Sequence, residues 1–360
     1  MMNNSSYLLA LHTVDGLGPM RLKVLLEYFK DPKLAWEADR KQLLEIGVPV
    51  KVIDLLLQTR QKLDPNQYLE NITKEEIKWV TLFDENYPKR LAQIYDPPIV
   101  LFYKGEILPE DQKAIAIVGS RKMTGYGREV TKLFAKELVN SGMTVVSGLA
   151  RGVDSQAHRS ALEEGGRTIA VLGGGIKFIY PPENIGLAQE IILHGAIISE
   201  FPPEYPSLPG NFPARNRIIS GLSLATLVTE AAEDSGSLIT ARVALEQGRE
   251  VFAIPGPITS LLSKGPIDLI KEGARVVTDP KEILEELGLG QVKSLKLKVK
   301  NGDFTEEERN ILNLLQNENM QIDEICRFLN QPTSVVLSTL LKMEITGLIK
   351  NLGNGVYCLF

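Results

Sequence analysis

The fold is decided by the stretch Ala114-Ile115-Ala116-Ile117-Val118, the first of six short apolar runs that follow one another roughly every 25 to 30 residues. The others are Met143-Thr144-Val145-Val146-Ser147, Thr168-Ile169-Ala170-Val171-Leu172, Ala196-Ile197-Ile198-Ser199, Ala225-Thr226-Leu227-Val228-Thr229 and Val251-Phe252-Ala253-Ile254. Such runs, separated by segments long enough for a helix, are typical of repeated β-α-β units. They predict an α/β fold with a doubly wound parallel sheet, in which ligands bind beyond the carboxyl ends of the strands.

Length and composition are those of a globular protein with more than one domain. The 360 residues exceed one ordinary compact core, and 44% of them are apolar and 24% charged. No apolar stretch reaches the roughly 18 residues that span a bilayer, and Met1–Ser6 lacks the pattern of a secretory signal. We therefore expect a cytoplasmic protein with no membrane partner.

The formal net charge of −5 argues against a protein that coats nucleic acid through general basicity. It leaves room for a local groove built from clustered Arg and Lys side chains. The two cysteines and three histidines show no metal-ligand spacing, so we predict no metal site.

Residues 1–72 are predicted to form a helical domain of the helix-hairpin-helix or SAM-like type. Val14-Asp15-Gly16-Leu17-Gly18-Pro19 separates two apolar helical patterns, and Ile46-Gly47-Val48-Pro49 resembles a second, weaker hairpin. The free amides of a helix that starts at Pro19 can hold a phosphate. A small helical packing module without a ligand is the alternative.

The main domain is predicted at 77–288. Besides the six core runs it contains strand-like segments at Lys78–Phe83 and Ile99–Tyr103, which suit an antiparallel addition to the edge of the sheet. Residues 289–303 are predicted to form a linker, because the basic run Lys293–Lys300 carries no clear pattern.

Residues 304–360 are predicted to form a winged-helix-like domain. Three helices are expected, at 306–316, 321–329 and 333–347. Thr305 and Glu308 have the spacing of a capping box, and Asn354-Gly355 suits a β-hairpin. Winged helices often bind DNA, but acidic side chains outnumber basic ones here, and phosphate attraction needs positive charge. We therefore predict a protein-contact or regulatory role.

Glycine-rich and cationic turns follow the core strands. Gly119-Ser120-Arg121 comes directly after the first, and Arg offers a planar fork that matches phosphate oxygens. The dinucleotide fingerprint G-x-G-x-x-G is missing there, so no cofactor is predicted. Gly148-Leu149-Ala150-Arg151-Gly152 follows the second strand, where Arg151 and the free amides of the next helix suit a phosphate.

The third core strand ends in three glycines, Gly173-Gly174-Gly175, with Lys177 and Tyr180 at the same rim. Successive glycines carry a large entropy cost, which the close approach of a bulky group to the main chain would explain. A floppy turn is the alternative.

Phe212-Pro213-Ala214-Arg215-Asn216-Arg217 places two arginines in the first turn of a helix, against the helix dipole. An anion would relieve that repulsion, and so would a partner carboxylate such as Glu200 or Glu230. Ser235-Gly236-Ser237 follows the fifth strand and suits either a phosphate or base edge, or simple helix capping. Because four strand ends supply five cations, a polyanion or a phosphorylated nucleotide chain fits better than one phosphate.

Together these motifs resemble the DNA-processing protein A family (DprA, also called Smf) over nearly the whole chain. They are Tyr87-Pro88, Asp96-Pro97-Pro98, Gly119-Ser120-Arg121, Ser147–Asp154 with Ala157-His158, Tyr180-Pro181, Ser199-Glu200, Phe212–Arg217, Ile218-Ile219, Ser235–Ala241 and Val251–Gly256. The resemblance implies a Rossmann-like domain that binds single-stranded DNA, protects incoming strands and helps load the RecA recombinase in natural transformation. It also implies a homodimer formed through that domain and no catalytic residues.

The resemblance assigns residues as well. Those expected to contact the DNA backbone are Arg121, Lys177, Arg215 and Arg217. The turns expected to admit the strand lie at Gly148, Gly152, Gly173 and Gly175. Further candidate contacts are Ser120, Arg151, Gly174, Tyr180, Phe212, Asn216, Ser235, Gly236, Ser237 and Lys264. Lys264 stands where the family usually has a Gly-Thr-Asn-like stretch, and Lys177 where an acidic residue is common.

Two other functions are open. A nucleotide phosphoribohydrolase of the related lysine-decarboxylase-like superfamily would use Glu200 and Glu230, although its Pro-Gly-Gly-x-Gly-Thr stretch is replaced here by Ser235-Gly236-Ser237. Release of base from nucleoside monophosphates would identify it. A protein-interaction scaffold would use the acidic carboxyl-terminal domain, and RecA pull-down without oligonucleotide binding would identify that function.

Overall fold

The computed structural model describes residues 4–289, 305–315, 320–345, 348–353 and 355–359. The chain forms two compact units, residues 1–290 and 291–360. The proposed linker falls outside the described residues from 290 onward. Within the described ranges, no helix is long and apolar enough to cross a membrane.

Six helices open the first unit: α1 (Ser5–His12), α2 (Pro19–Phe29), α3 (Pro32–Glu37), α4 (Arg40–Glu45), α5 (Val50–Lys62) and α6 (Pro65–Lys74). The turn between α1 and α2 needs a glycine, because Gly16 has φ of 87°. Arg21 Nη1 donates to the Gly16 carbonyl oxygen at 2.9 Å and closes this hairpin. Buried side chains such as Leu9 and Ile53 share one core with Phe102 of the sheet, so the helices pack directly on it.

The first unit also contains one nine-stranded sheet. Its strands are β1 (Lys78–Thr81), β2 (Val100–Gly105), β3 (Ala114–Val118), β4 (Thr144–Ser147), β5 (Thr168–Val171), β6 (Ala196–Ser199), β7 (Ala225–Val228), β8 (Glu250–Ala253) and β9 (Arg275–Val276). They are ordered β1-β2-β6-β5-β4-β3-β7-β8-β9. All six predicted core strands are present and pair in parallel, and β2 pairs antiparallel with β6. The predicted parallel sheet with an antiparallel edge is confirmed.

Helices cover both faces of this sheet: α7 (Gly125–Asn140), α8 (Val153–Glu163), α9 (Ile185–His194), α10 (Asn211–Leu222), α11 (Gly236–Glu246), α12 (Lys264–Lys271) and α13 (Pro280–Glu286). Along β3, Ile115 packs in one core with Phe134 of α7, whereas Ala116 packs in the opposite core with Ile218 of α10. Burial on both faces explains why the strands are apolar throughout instead of alternating. The chain builds outward from β3 to β6 and then returns to place β7 beside β3, so the strand order reverses between β3 and β7. Ligands bind at such a point in this class of sheet.

The second unit contains α14 (Glu306–Leu315), α15 (Ile322–Leu329), α16 (Thr333–Ile345), β10 (Met320–Gln321), β11 (Ile349–Gly353) and β12 (Val356–Leu359). The Thr305 backbone N–H donates to Glu308 Oε2 at 2.9 Å, and the Glu308 N–H donates to Thr305 Oγ1 at 3.3 Å, which confirms the capping box. The three helices and the β11–β12 hairpin confirm the predicted winged helix; Asn354, which the sequence predicts for the hairpin turn, lies outside the described residues. The short strand β10, which pairs with β12, was not predicted.

Candidate nucleic-acid interface

A cavity of about 800 Å³ opens at the carboxyl edge of the sheet, beside the point where the strand order reverses. Its walls come from the loops after β3, β4, β5 and β7 and from the first turns of α10. Nine of the candidate residues line it: Ser120, Arg121, Tyr180, Phe212, Arg215, Asn216, Ser235, Gly236 and Ser237. Half of the eighteen candidate residues therefore meet around one concave surface.

The cavity combines a free cation with two aromatic rings. The Arg121 guanidinium carbon lies 5.6 Å from the centre of the Phe212 ring, which is within the range of a cation–π contact. The Tyr180 ring lies 5.8 Å from the Phe212 ring at an interplanar angle of 44°. Within residues 4–289, Arg121 forms no ion pair with a carboxylate, and its side chain is exposed. Its guanidinium is therefore available to an incoming anion.

The buried side chain of Glu230 fixes the loop that carries Arg121. This buried carboxylate accepts hydrogen bonds from the Thr124 backbone N–H at 2.8 Å and from the Thr124 hydroxyl at 2.6 Å. A side chain at Gly127 would collide with it, because a Cβ there would lie 2.0 Å from Glu230 Oε2. The same loop presents Lys122, an exposed residue of the cavity lining that the sequence analysis did not single out. The position of Lys122 directly after Arg121 is the sequence feature that could have identified it as a lining residue.

Arg215 lies in the cavity wall, but its guanidinium donates hydrogen bonds to the protein backbone. It is only 4% exposed, and its Nη1 donates to the carbonyl oxygens of Gly148, at 2.7 Å, and of Val171. Burial lowers the pKa of Arg215 to about 10, although the Asp154 carboxylate opposes this shift. Arg215 thus ties α10 to the ends of β4 and β5, and the expected contact with the DNA backbone is not visible in its geometry.

The glycines expected to admit a strand make room for protein atoms instead. An added Cβ would meet the Arg215 guanidinium at Gly148 and the Phe212 ring at Gly173, at 2.5 Å and 2.7 Å respectively. At Gly152 it would meet the backbone of the Arg121 loop. Gly174 and Gly175 are likewise covered by the segment 202–207. These glycines therefore allow neighbouring segments of the protein to pack closely against the strand ends.

Arg217 is engaged by two carboxylates. Its Nη1 and Nη2 donate to the two Glu200 oxygens at 3.1 Å and 2.6 Å, and its Nε donates to Asp96 Oδ2 at 2.8 Å. Its side chain is only 12% exposed. Burial alone would lower the pKa of Arg217, but Glu200 and Asp96 outweigh burial and raise it. Of the two alternatives left open for the α10 arginines, the partner carboxylate holds for Arg217.

The remaining candidate cations lie at the surface and outside the cavity lining. Arg151 pairs with Glu183, and Lys177 Nζ lies 2.9 Å from Glu204 Oε1 while also contacting Glu75 of the helical region. Exposed pairs of this kind contribute little to stability and exchange readily with water or another anion. Lys264, the first residue of α12, is exposed and does not line the cavity.

The loop after β7 offers neutral polar groups. Ser235 Oγ accepts from the Ser237 N–H at the start of α11, so the capping alternative holds for Ser235, and the two hydroxyls lie 2.8 Å apart. Asn216 Nδ2 donates to the Gly236 carbonyl oxygen at 3.3 Å and links α10 to α11. No cluster of three or more His, Cys, Asp or Glu that suits a metal occurs in the described ranges.

The chain is similar to known proteins over most of its length. The family model described as DNA recombination-mediator protein A matches residues 78–288, and the DprA winged helix domain matches residues 301–355. Protein Smf of Escherichia coli is 44% identical over 279 residues, covering 75% of this chain and 74% of that protein. The X-ray structure of DNA processing protein A from Streptococcus pneumoniae has a TM-score of 0.68 and 36% identity, covering 78% of this chain and 97% of that one.

The chain is also similar to a second solved structure. DNA processing protein A from Helicobacter pylori, described for its single-stranded DNA binding mode, has a TM-score of 0.53 and 32% identity to this chain. The match covers 58% of this chain and 95% of the Helicobacter protein.

Proposed function

We propose that this chain, which belongs to the DNA recombination-mediator protein A family, binds single-stranded DNA at the cavity beside β3 and β7. In this role it would protect incoming strands in the cytoplasm and help to load the RecA recombinase during natural transformation. A homodimer formed through the sheet domain is part of the same proposal. The observation that carries the DNA-binding proposal is Arg121, a cation without a carboxylate partner in residues 4–289, placed over the Phe212 ring.

The chemistry of the cavity suits a single strand. A base offers a flat ring to Phe212 and Tyr180, while the neighbouring phosphate offers oxygens to Arg121 and Lys122. Stacking of this kind accepts every base, because each has a π-face. The carboxylate-paired cations Arg151 and Lys177 lie outside the cavity lining, and in this proposal they would exchange their surface partners for phosphates of the same strand. Arg215 and Arg217 support the fold of the site instead.

The two carboxylates proposed for catalysis are engaged by protein groups. Glu200 and Glu230 were the candidates of a nucleotide phosphoribohydrolase, and neither lines the cavity. Glu200 is engaged by Arg217, and both Glu230 oxygens accept hydrogen bonds from Thr124. We therefore propose that neither acts as a catalytic acid or base. Incubation with nucleoside monophosphates is expected to release no base above a buffer blank.

The winged-helix unit is proposed as a protein-contact surface. Its helix α16 exposes Val335, Leu337 and Leu341, and Phe328 of α15 is 69% exposed. A helix that reads DNA needs cations on its exposed face, whereas these side chains are apolar. The expected binding partner of this unit is a protein such as the recombinase.

Affinity for oligonucleotide is expected to fall steeply with salt. Each phosphate neutralised on a single strand contributes about −0.7 to the slope of log K against log salt. Contacts by Arg121 and Lys122 alone give a slope of about −1.4. Fluorescence anisotropy with a labelled oligothymidylate at several salt concentrations measures it. Absence of binding at low salt, or a flat response, would remove the proposed function; RecA capture without DNA binding would then favour the scaffold.

A further inference from the structure

Two half-buried arginines, Arg90 and Arg249, lie close together away from the cavity. Arg249 directly precedes β8, so it lies at the amino edge of the sheet, whereas the cavity lies at the carboxyl edge. Its Nη2 donates to the carbonyl oxygen of Arg90, in the segment between β1 and β2, at 3.0 Å. Because the 4 residues of β8 span about 13 Å, this arginine pair is separate from the cavity.

The backbone on either side of the arginine pair is held by its own contacts. The Arg249 N–H donates to the Ala244 carbonyl oxygen at 2.9 Å, at the end of α11. Leu91, which follows Arg90, is fully buried and packs against α10, where a Cβ at Gly221 would lie 2.7 Å from its side chain. The backbone around each arginine is therefore fixed independently of its guanidinium.

The arginine pair has no counter-charge in the described ranges of the chain. Neither residue forms an ion pair there, and the Nε atom of each is buried without a hydrogen-bond partner. Burial lowers the pKa of Arg90, and burial followed by the charge of Arg90 lowers the pKa of Arg249, with no described carboxylate opposing either shift. The two guanidiniums therefore repel each other. Within residues 4–289 the Arg90 guanidinium donates no hydrogen bond, so folding gives no reason for its charge.

We propose that the arginine pair binds a phosphate group, either the free ion or a phosphomonoester, at a site distinct from the cavity. Guanidinium forks match the oxygens of a phosphate. A phosphomonoester carries a charge of about −1.5 to −2 near pH 7, which two arginines neutralise, whereas a carboxylate would leave one of them uncompensated. The bound group would bridge the segment before β2 to the end of α11. It would stabilise the protein whether or not the cavity binds DNA.

Thermal unfolding in inorganic phosphate tests this site. At about ten times Kd, phosphate is expected to raise the melting temperature by about 2 to 4 °C above sodium chloride of equal ionic strength. Arg90→Met keeps an unbranched side chain of similar length but removes the charge. The variant is expected to lose the phosphate-dependent rise. Its melting temperature in chloride should stay or increase, because an uncompensated charge is gone.

Two further variants complete the comparison. Arg242→Met is the matched control, because it removes one charge from an exposed residue of α11 that pairs with Glu272. Phosphate also stabilises proteins through exclusion from their surface, and this effect should be equal in all variants. Arg249→Gln removes the other half of the pair and its hydrogen bond to Arg90. Its melting temperature in chloride should therefore fall, and its phosphate-dependent rise should disappear.

The outcomes decide whether the arginine pair is a ligand site. The assignment is overturned if the phosphate effect is equal in the wild type and Arg90→Met, or if Arg242→Met loses it as well. A lower melting temperature of Arg90→Met in chloride would also overturn it, because the charge would then serve the fold.

Thymidine 5′-monophosphate distinguishes the two forms of the ligand. A rise in melting temperature that Arg90→Met abolishes assigns a phosphomonoester, whereas a rise with inorganic phosphate alone assigns the free ion. Arg90→Met should bind oligothymidylate with wild-type affinity. Failure of the proposed DNA binding would therefore leave the phosphate measurement valid, and failure of the phosphate measurement would leave the cavity untouched.

Discussion

Replacing Arg121 with Glu is expected to weaken the binding of every single-stranded oligonucleotide, whatever its sequence, by about 10- to 150-fold at low salt. A hydrogen bond to a charged group contributes about 1.5 to 3 kcal/mol, which corresponds to that range in Kd. Arg121 is exposed and has no carboxylate partner within residues 4–289, so its loss should leave the free energy of unfolding nearly unchanged. Anisotropy titrations with oligothymidylate and a mixed sequence measure the effect.

Two further variants divide the contribution of Arg121 from that of the ring beneath it. Phe212→Leu removes the stacking surface, which contributes about 1 to 3 kcal/mol per base in single-strand sites, and should leave the salt slope intact. Arg242→Glu reverses an exposed charge on α11 and serves as the control for net charge. Wild-type affinity in Arg121→Glu, or the same loss in Arg242→Glu, would contradict the placement of the strand in this cavity.

The parallel sheet and the position of the candidate interface at its carboxyl edge were predictable, because both depend on local sequence pattern. A strand buried on both faces must be apolar along its length, and each of the six runs supplied one. Arg121 is the third residue after β3, so its place at the carboxyl edge followed from the position of that strand. Helix starts at Pro19 and Thr305 were also readable, since capping depends on residues only a few positions apart.

The partner of each Arg and Lys side chain was not predictable, because the partners are distant in sequence. Arg215 and Arg217 are two positions apart on α10, yet one donates to strand-end carbonyls and the other meets Glu200. Which carboxylate reaches which guanidinium is decided by helix rotation and packing, not by spacing. Lys177 likewise pairs with Glu75, a residue of another structural region. Sequence alone therefore overestimated the number of free cations.

The glycine-rich turns show the same limit of prediction from sequence, because they do not identify the group that packs against them. A run such as Gly173-Gly174-Gly175 indicates that something approaches the backbone, but not whether it is ligand or protein. Here the approaching groups are Phe212 and the segment 202–207. The physical inference of close approach was correct, and only the three-dimensional structure identifies the partner.

Glu200→Ala is expected to lower the free energy of unfolding by about 3 to 5 kcal/mol, the usual cost of leaving one partner of a buried ion pair uncompensated. Arg217 would keep only Asp96, which is 40% exposed, whereas Glu200 is 10% exposed. Urea denaturation followed by circular dichroism measures the loss. Asp96→Asn removes the more solvated partner and should cost about 1 kcal/mol.

The same substitution tests whether Arg217 serves the fold or the ligand. If Arg217 contacted DNA, freeing it from Glu200 would strengthen oligonucleotide binding. If it only supports the fold, Glu200→Ala at a temperature where the variant is still folded should bind with wild-type affinity and salt slope. Because buried pairs can often be replaced by apolar residues of similar volume, the double variant Glu200→Leu/Arg217→Met should recover much of the lost stability. A loss in Glu200→Ala below about 1 kcal/mol would contradict the buried pair, since that is the value of an exposed one.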